Sequence, residues 1–364
     1  MKIKIRLLGN IISIIAVCLF IAFPSAQASE KPGKIPDIPL FPVFENGKFG
    51  YIDVTGEVII KPKFDFVRYF SEGLAAVPVK GKWGYINKTG KYVIKPQFDD
   101  VWDFSEGLAC VRVGDEETGK WGYIDKKGKM VINPQFDDSH YFHEGLACAW
   151  IGEVGTRKWG YIDKTGKIVI NPQFGYAGPF TEGLAVVKVG DAWTEKWGYI
   201  DHAGNFAINP QFDYARPFSE GFATIRIGDE DTGKWGYIDK TGQTVIDPQF
   251  DWAGDYSEGF ATVRIGDKET GKWGYIDKTG KYAINPQFLY AESFSEDLAL
   301  VLIGDWDTGK CGYIDKTGKI VINPQFDSWN SFSEGLAFVR IEGKAGYIDK
   351  TGEFVWGPSK WPTD

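Results

Sequence analysis

The chain has only 3 histidines and 4 cysteines in 364 residues, and that scarcity excludes much. Histidine is the side chain whose ordinary pKa suits acid–base work near neutral pH, and with cysteine it is the usual zinc ligand. His140 and His143 are close enough in sequence to share a site, and His202 stands apart. None is accompanied by a metal-ligand signature or a nucleophile pairing, so the sequence predicts no metal and no cofactor. Cys18 lies in the N-terminal apolar stretch, which leaves Cys110, Cys148 and Cys311. Three is an odd number and too few for a disulfide framework.

An excess of positive charge is also missing. The formal net charge is −8, which repels a phosphate backbone or an anionic membrane surface and argues against nucleic acid as a partner. Long apolar runs are absent after residue 23. The one present, residues 7–23, follows Lys2, Lys4 and Arg6 and precedes the small-residue pattern Ala26-Gln27-Ala28. At about 17 residues it is at the short limit for a bilayer span. The arrangement predicts a secretory signal cut after Ala28, with a retained anchor as the alternative. Val17 before Cys18 does not favour lipid attachment. Removing residues 1–28 takes the charge from −8 to −11. The expected product is exported to periplasm, cell surface or medium, with no transmembrane segment and with residues 29–39 as a linker.

What is abundant is aromatic and glycine residues: 14 Trp, 17 Tyr, 26 Phe and 45 Gly. That combination indicates many short strands joined by glycine turns. The stretch KWGYIDKTGK occurs at residues 272–281 and again at 158–167. Aligning on its first glycine gives Gly50, Gly84, Gly122, Gly160, Gly198, Gly236, Gly274, Gly312 and Gly346, spaced by 34, then 38 six times, then 34. A period of this length is the mark of a solenoid, propeller or similar array. Residues 40–52 match residues 74–86 in frame, so the array of nine units spans residues 40–364.

Each unit divides into strands and turns. In the sixth, FATIRIGD alternates with Ala223, Ile225 and Ile227 on one face; KWGYID forms a second strand; and TVID forms a third, which Pro248 is expected to stop. Residues 248–259 show no alternation and read as a connector. One such three-stranded antiparallel meander cannot bury both of its faces, so the sheets must stack on their neighbours. A β-propeller and an open superhelical stack both satisfy that requirement. No strand from the far terminus is evident to latch a ring.

The residues KWGYIDKTGK, VINPQFD and FSEGLA, recurring in register over residues 40–356, resemble the bacterial WG-containing (KWG) repeat family. The resemblance implies a β-repeat protein and offers no catalytic residues to carry over. Phe49, Cys311 and Ala345 depart from it at the tryptophan position.

Four constellations remain. Glu72, Glu106, Glu144, Glu182, Glu220, Glu258, Glu296 and Glu334 recur in the SEG turn, either as a row that attracts cations or as acceptors within their own turns. Six units carry a four-residue insertion whose tips hold Asp115, Glu116, Asp229, Asp231, Asp267, Asp305 and Asp307; these are solvated tips or a calcium site without EF-hand spacing. Cys110 and Cys148 occupy one place in adjacent units. Sheets stacked about 10 Å apart exceed disulfide reach, so free buried thiols are expected.

The connectors carry Phe66, Trp102, Tyr176, Tyr214, Trp252, Tyr290 and Trp329 at nearly one alignment position, either covering the core or forming a ridge on which sugars or an extended partner stack. Of these, Trp102, Tyr176, Tyr214, Trp252, Tyr290 and Trp329 are the candidate ligand-binding residues. The function expected is an exported, non-enzymatic repeat scaffold for a protein or polysaccharide ligand of the cell envelope. The alternative is a glycan-acting hydrolase that uses the repeated carboxylates as acid and base.

Overall fold

A computed structural model describes residues 38–152, 157–190, 194–327 and 330–362. The predicted signal segment lies outside them. The described residues form nine antiparallel sheets and no helix. Sheet 1 is β1 (Phe41–Glu45), β2 (Lys48–Ile52) and β3 (Val58–Phe64) in meander order, and sheet 9 repeats that pattern with Ala337–Ile341, Lys344–Ile348 and Phe354–Lys360.

In six sheets the connector adds a short fourth strand, as at Asp100–Val101, Tyr214–Ser219 and Trp252–Ala253. At two to six residues these strands are too short to show alternation, which is why the connectors read as irregular. Pro248 differs from expectation too. It lies inside the third strand, Thr244–Phe250, rather than ending it. The register slips between the Trp235–Phe250 and Tyr237–Ile246 pairs. Proline is tolerated there because the strand is a sheet edge and the ladder is already broken by a bulge.

The same bulge explains the invariant first glycine of the KWGYIDKTGK stretch. A Cβ on Gly236 would lie 2.5 Å from the Ile246 carbonyl oxygen and 2.7 Å from the Pro248 nitrogen. Only a bare α-carbon fits so close to the neighbouring strand.

Both faces of each sheet are covered, as the stacking argument requires. Ala223, Thr224 and Ile225 are buried in succession, whereas Ile227, expected to be internal, is exposed at the hairpin end. The tyrosine after this glycine faces the next sheet. Tyr237 is fully buried; its hydroxyl donates to the Gly254 carbonyl at 2.8 Å and its ring packs on Tyr256 at 5.0 Å. The same contact joins Tyr85 to the Trp102 carbonyl and Phe104, and Tyr275 to the Glu292 carbonyl and Phe294. Burial pushes these phenols above their ordinary pKa. They remain protonated donors.

The opposite face of each sheet meets the sheet before it. The turn glycine Gly242, at φ +83°, would place a Cβ 3.0 Å from Ile208 of the preceding sheet. Gly90 meets Ile60 and Gly318 meets Ile284 in the same way. The ring closes through the same position: Gly56 of sheet 1 sits directly on the Val355 backbone of sheet 9. Phe41, Val43 and Ile52 share a buried cluster with Leu336, Tyr347 and Trp356. Among the described residues no strand is exchanged, so the molecule is a nine-bladed β-propeller latched by packing between blades 9 and 1.

Gly236→Ala is expected to destabilise the protein by about 1–3 kcal/mol through overpacking. A chemical denaturation midpoint unchanged from wild type contradicts the close-approach account.

Candidate functional site

The two ends of each blade carry different chemistry. In blade 6 the insertion hairpin follows the Ile227–Lys234 pair, and the SEG and KTG turns meet at the other end, beside the Phe222–Asp239 pair. The connector aromatics belong to the insertion end, since Tyr214 pairs with Arg226, which in turn pairs with Trp235.

There the connector rings interleave with the repeat tryptophans. Tyr214 lies 4.9 Å from Trp197 and 5.5 Å from Trp235; Trp252 lies 6.5 Å from Trp235 and 4.7 Å from Trp273; Tyr290 lies 5.0 Å from Trp273; and Tyr176 lies 5.1 Å from Trp197. Around Trp102 the file continues through other groups. The Arg68 guanidinium lies over Trp83 and Trp102, and His140 sits between Trp102 and Trp159. Phe66, Trp102 and Tyr176 are exposed, while Tyr214, Trp252 and Tyr290 are half-buried. These rings therefore cover the core and present an edge to solvent at once. Trp329 lies outside the described residues. Cys311 interrupts the file in blade 8, buried beneath it.

One opening along this end is a cleft of about 600 Å³ between blades 6 and 7. Trp235 and Trp252 line it, with Arg226 and Arg264 beside them and Asp231, Asp251, Asp267 and Glu269 among its walls. Each arginine stacks over its paired tryptophan, Arg226 at 5.7 Å from Trp235 and Arg264 at 5.9 Å from Trp273. The Nε of each is buried without a hydrogen-bond partner among the described residues. Sequence reasoning missed these arginines. The available signal was their place directly across the ladder from the tryptophan in blades 3, 6 and 7.

Two carboxyls of the cleft, Asp251 and Asp267, are held toward their ionised form. Partial burial pushes Asp251 up, but the Lys234 ammonium at 2.5 Å and the Gly266 N–H outweigh it and hold the group below the usual range. Asp267 is lowered by the Thr270 backbone and hydroxyl donors. Its Oδ1 also accepts the Glu269 N–H, so the aspartate is taken up by its own turn. Asp115, Asp229 and Asp305 are used in the same way. Among the described residues no group of three or more potential ligands converges on a metal position.

At the other end, all the SEG glutamates sit at positive φ, and all except Glu334 reach the next blade rather than cap their own turns. Glu220 Oε2 accepts the Gly259 N–H at 3.0 Å and pairs with Lys278 at 3.1 Å, and Glu182 does the same with Gly221 and Lys240. His202 takes the lysine role opposite Glu144 at 3.5 Å and stacks on Phe180. Cys110, Cys148 and Cys311 are free and buried, and burial raises the thiol of each.

The sheets define the class as β-propeller, and the sequence defines the family. The WG containing repeat matches at residues 49–83, 83–116, 121–149, 159–193, 197–230, 235–268, 273–305 and 312–344. The chain belongs to the WG-repeat family. No curated protein matches it by sequence. Among solved structures it is similar to a eukaryotic initiation factor, at 12% identity and a TM-score of 0.63 over 86% of this chain and 94% of that one. It also matches the β-propeller domain of the Trilobed protease from Pyrococcus furiosus, at 9% identity and a TM-score of 0.39 over 80% and 98% of the two chains. At such identities the likeness is one of fold alone. Among the described residues no helix is long and apolar enough to cross a membrane.

Because Trp252 is wedged between two other indoles, Trp252→Ala is expected to cost about 1–2 kcal/mol, beyond the near-neutral change of a free surface ring. A melting temperature equal to wild type shows instead that the ring packs on nothing of consequence.

Proposed function

We propose that the protein is an exported, non-enzymatic scaffold that binds glycan along the insertion end, with its principal seat in the cleft between blades 6 and 7. The observation that supports this reading is the composition of that cleft: flat indoles in the floor, two arginines and several carboxylate side chains in the walls. A strongly charged ligand of either sign is repelled by part of this rim. A neutral, hydroxyl-rich ligand donates to the carboxylates, accepts from the guanidinium groups and stacks an apolar sugar face on tryptophan. The partly exposed rings of neighbouring blades extend the surface beyond one seat, as a polymer requires.

Binding is favoured over hydrolysis because glycosidic cleavage needs one carboxyl held protonated beside a second that is ionised. Asp251 and Asp267 are both lowered. The carboxyl that burial raises, Asp103, lies between blades 2 and 3 in a separate pocket with Arg68, Trp102 and Tyr141. Export is proposed from the N-terminal sequence pattern.

A glycan array with purified protein, paired with a pull-down from cell-envelope extract, tests the assignment. Retention of a glycan is expected, with affinity reduced about tenfold or more by Arg226→Gln, which removes a charged donor. Retention of protein alone identifies the other ligand class. Cleavage of the retained glycan favours the hydrolase reading. Binding indifferent to Arg226 moves the site elsewhere.

A further inference from the structure

The ring of glutamate contacts is broken at one blade, and the break opens a second cavity. Among the described residues blade 1 begins near Leu40, and the sequence in frame before it carries no SEG turn like the one that precedes every other blade. In the alignment Pro39 takes the place of the SEG glycine and Val54 that of the KTG lysine. The glutamate of blade 9, Glu334, adopts the same backbone conformation as its siblings, φ +54°. Yet proline has no N–H to offer and valine no ammonium. Glu334 has no hydrogen-bond or ion-pair partner among the described residues, whereas the carboxylates of Glu72, Glu106, Glu182, Glu220, Glu258 and Glu296 each hold a backbone N–H and a lysine ammonium.

Beside Glu334 is a cavity of about 600 Å³ where the missing turn would sit. Its lining includes Tyr69, Phe70, Asn330, Ser333 and Phe338. Tyr347, whose siblings donate to a connector carbonyl, meets the Tyr69 side chain here instead. Lys88 also lines the cavity, but its ammonium is engaged by the Ile38 carbonyl at 2.7 Å. The volume falls within the range of small-ligand sites.

We propose that this seam cavity binds a primary ammonium group, with Glu334 as its carboxylate partner. The molecule supplies the template: six junctions show this glutamate gripping an ammonium together with an N–H donor, and the seam presents the same carboxylate with both donors removed. Tyr69, Phe70 and Phe338 offer aromatic surface to the alkyl chain that carries the charge. A free diamine and a lysine side chain in a peptide share this chemistry. The site lies at the end of the blades opposite the glycan cleft and stands independently of it.

Calorimetric titration of the purified protein with cadaverine and, separately, with N-acetyl-lysine amide tests the proposal, with 1-pentanol as the uncharged control. Saturable binding of one or both amines, and not of the alcohol, is expected; the stronger response identifies the source. Glu334→Gln should weaken binding about tenfold or more without lowering the melting temperature, because the group has no partner to lose. Val54→Lys, which rebuilds the sibling pair, should abolish binding and raise the melting temperature. Absence of amine binding to wild type, or binding that persists unchanged in Glu334→Gln, overturns the assignment.

Discussion

Every junction in this propeller except the one between blades 9 and 1 depends on a buried tyrosine that belongs to one blade and bonds to the next. Tyr51, Tyr85, Tyr161, Tyr199, Tyr237, Tyr275 and Tyr313 each donate to a backbone carbonyl 17 residues further on. In every case the acceptor lies in the connector of the following blade. The ring of each packs at about 5 Å on the aromatic that precedes the SEG turn. A net hydrogen bond contributes only about 1 kcal/mol, but an unpaired buried hydroxyl or carbonyl costs more, so each blade is stable only against its neighbour. The requirement fixes the repeat: tyrosine to donate, glycine before it so that the strand can approach its bulged partner, and an aromatic in the next connector.

The same constraint explains how the ring closes. Many propellers complete a final blade with a strand from the other terminus. Here blades 1 and 9 are each complete meanders, and closure uses the contact found at every other junction, a turn glycine seated on the blade before it. Among the described residues, what blade 1 lacks is the connector. Its absence leaves Tyr347 without the usual carbonyl and Glu334 without its donors, so the one place where the packing rule fails is also where a cavity opens.

Much of the architecture was legible because it is periodic. The glycine spacing gave nine units, the turns gave three strands per unit, and residues apolar on both faces implied stacked sheets. The connector strands were not legible, since Asp100–Val101 and Trp252–Ala253 are too short for any pattern. Pro248 misled because the rule against proline in a ladder does not bind at a bulged edge. The partner of Glu220 was misplaced because hydrogen bonds across blades leave no trace in local sequence. Of the candidate site, the aromatic positions were visible as a file in the alignment. The cleft itself was not, because Arg226 and Arg264 look like ordinary polar positions on an alternating strand until the ladder sets them across from tryptophan. Pro39 and Val54 were in view as well, but their meaning required knowing what the glycine and lysine of the other blades hold.

The claim that no blade is stable alone is tested most directly by expressing one, residues 251–288, as an isolated peptide and recording its circular dichroism and amide hydrogen exchange. Without neighbours to receive Tyr275 and cover its two faces, the peptide is expected to be unfolded, with unprotected amides. A monomeric peptide that retains strand structure and protected amides contradicts the account.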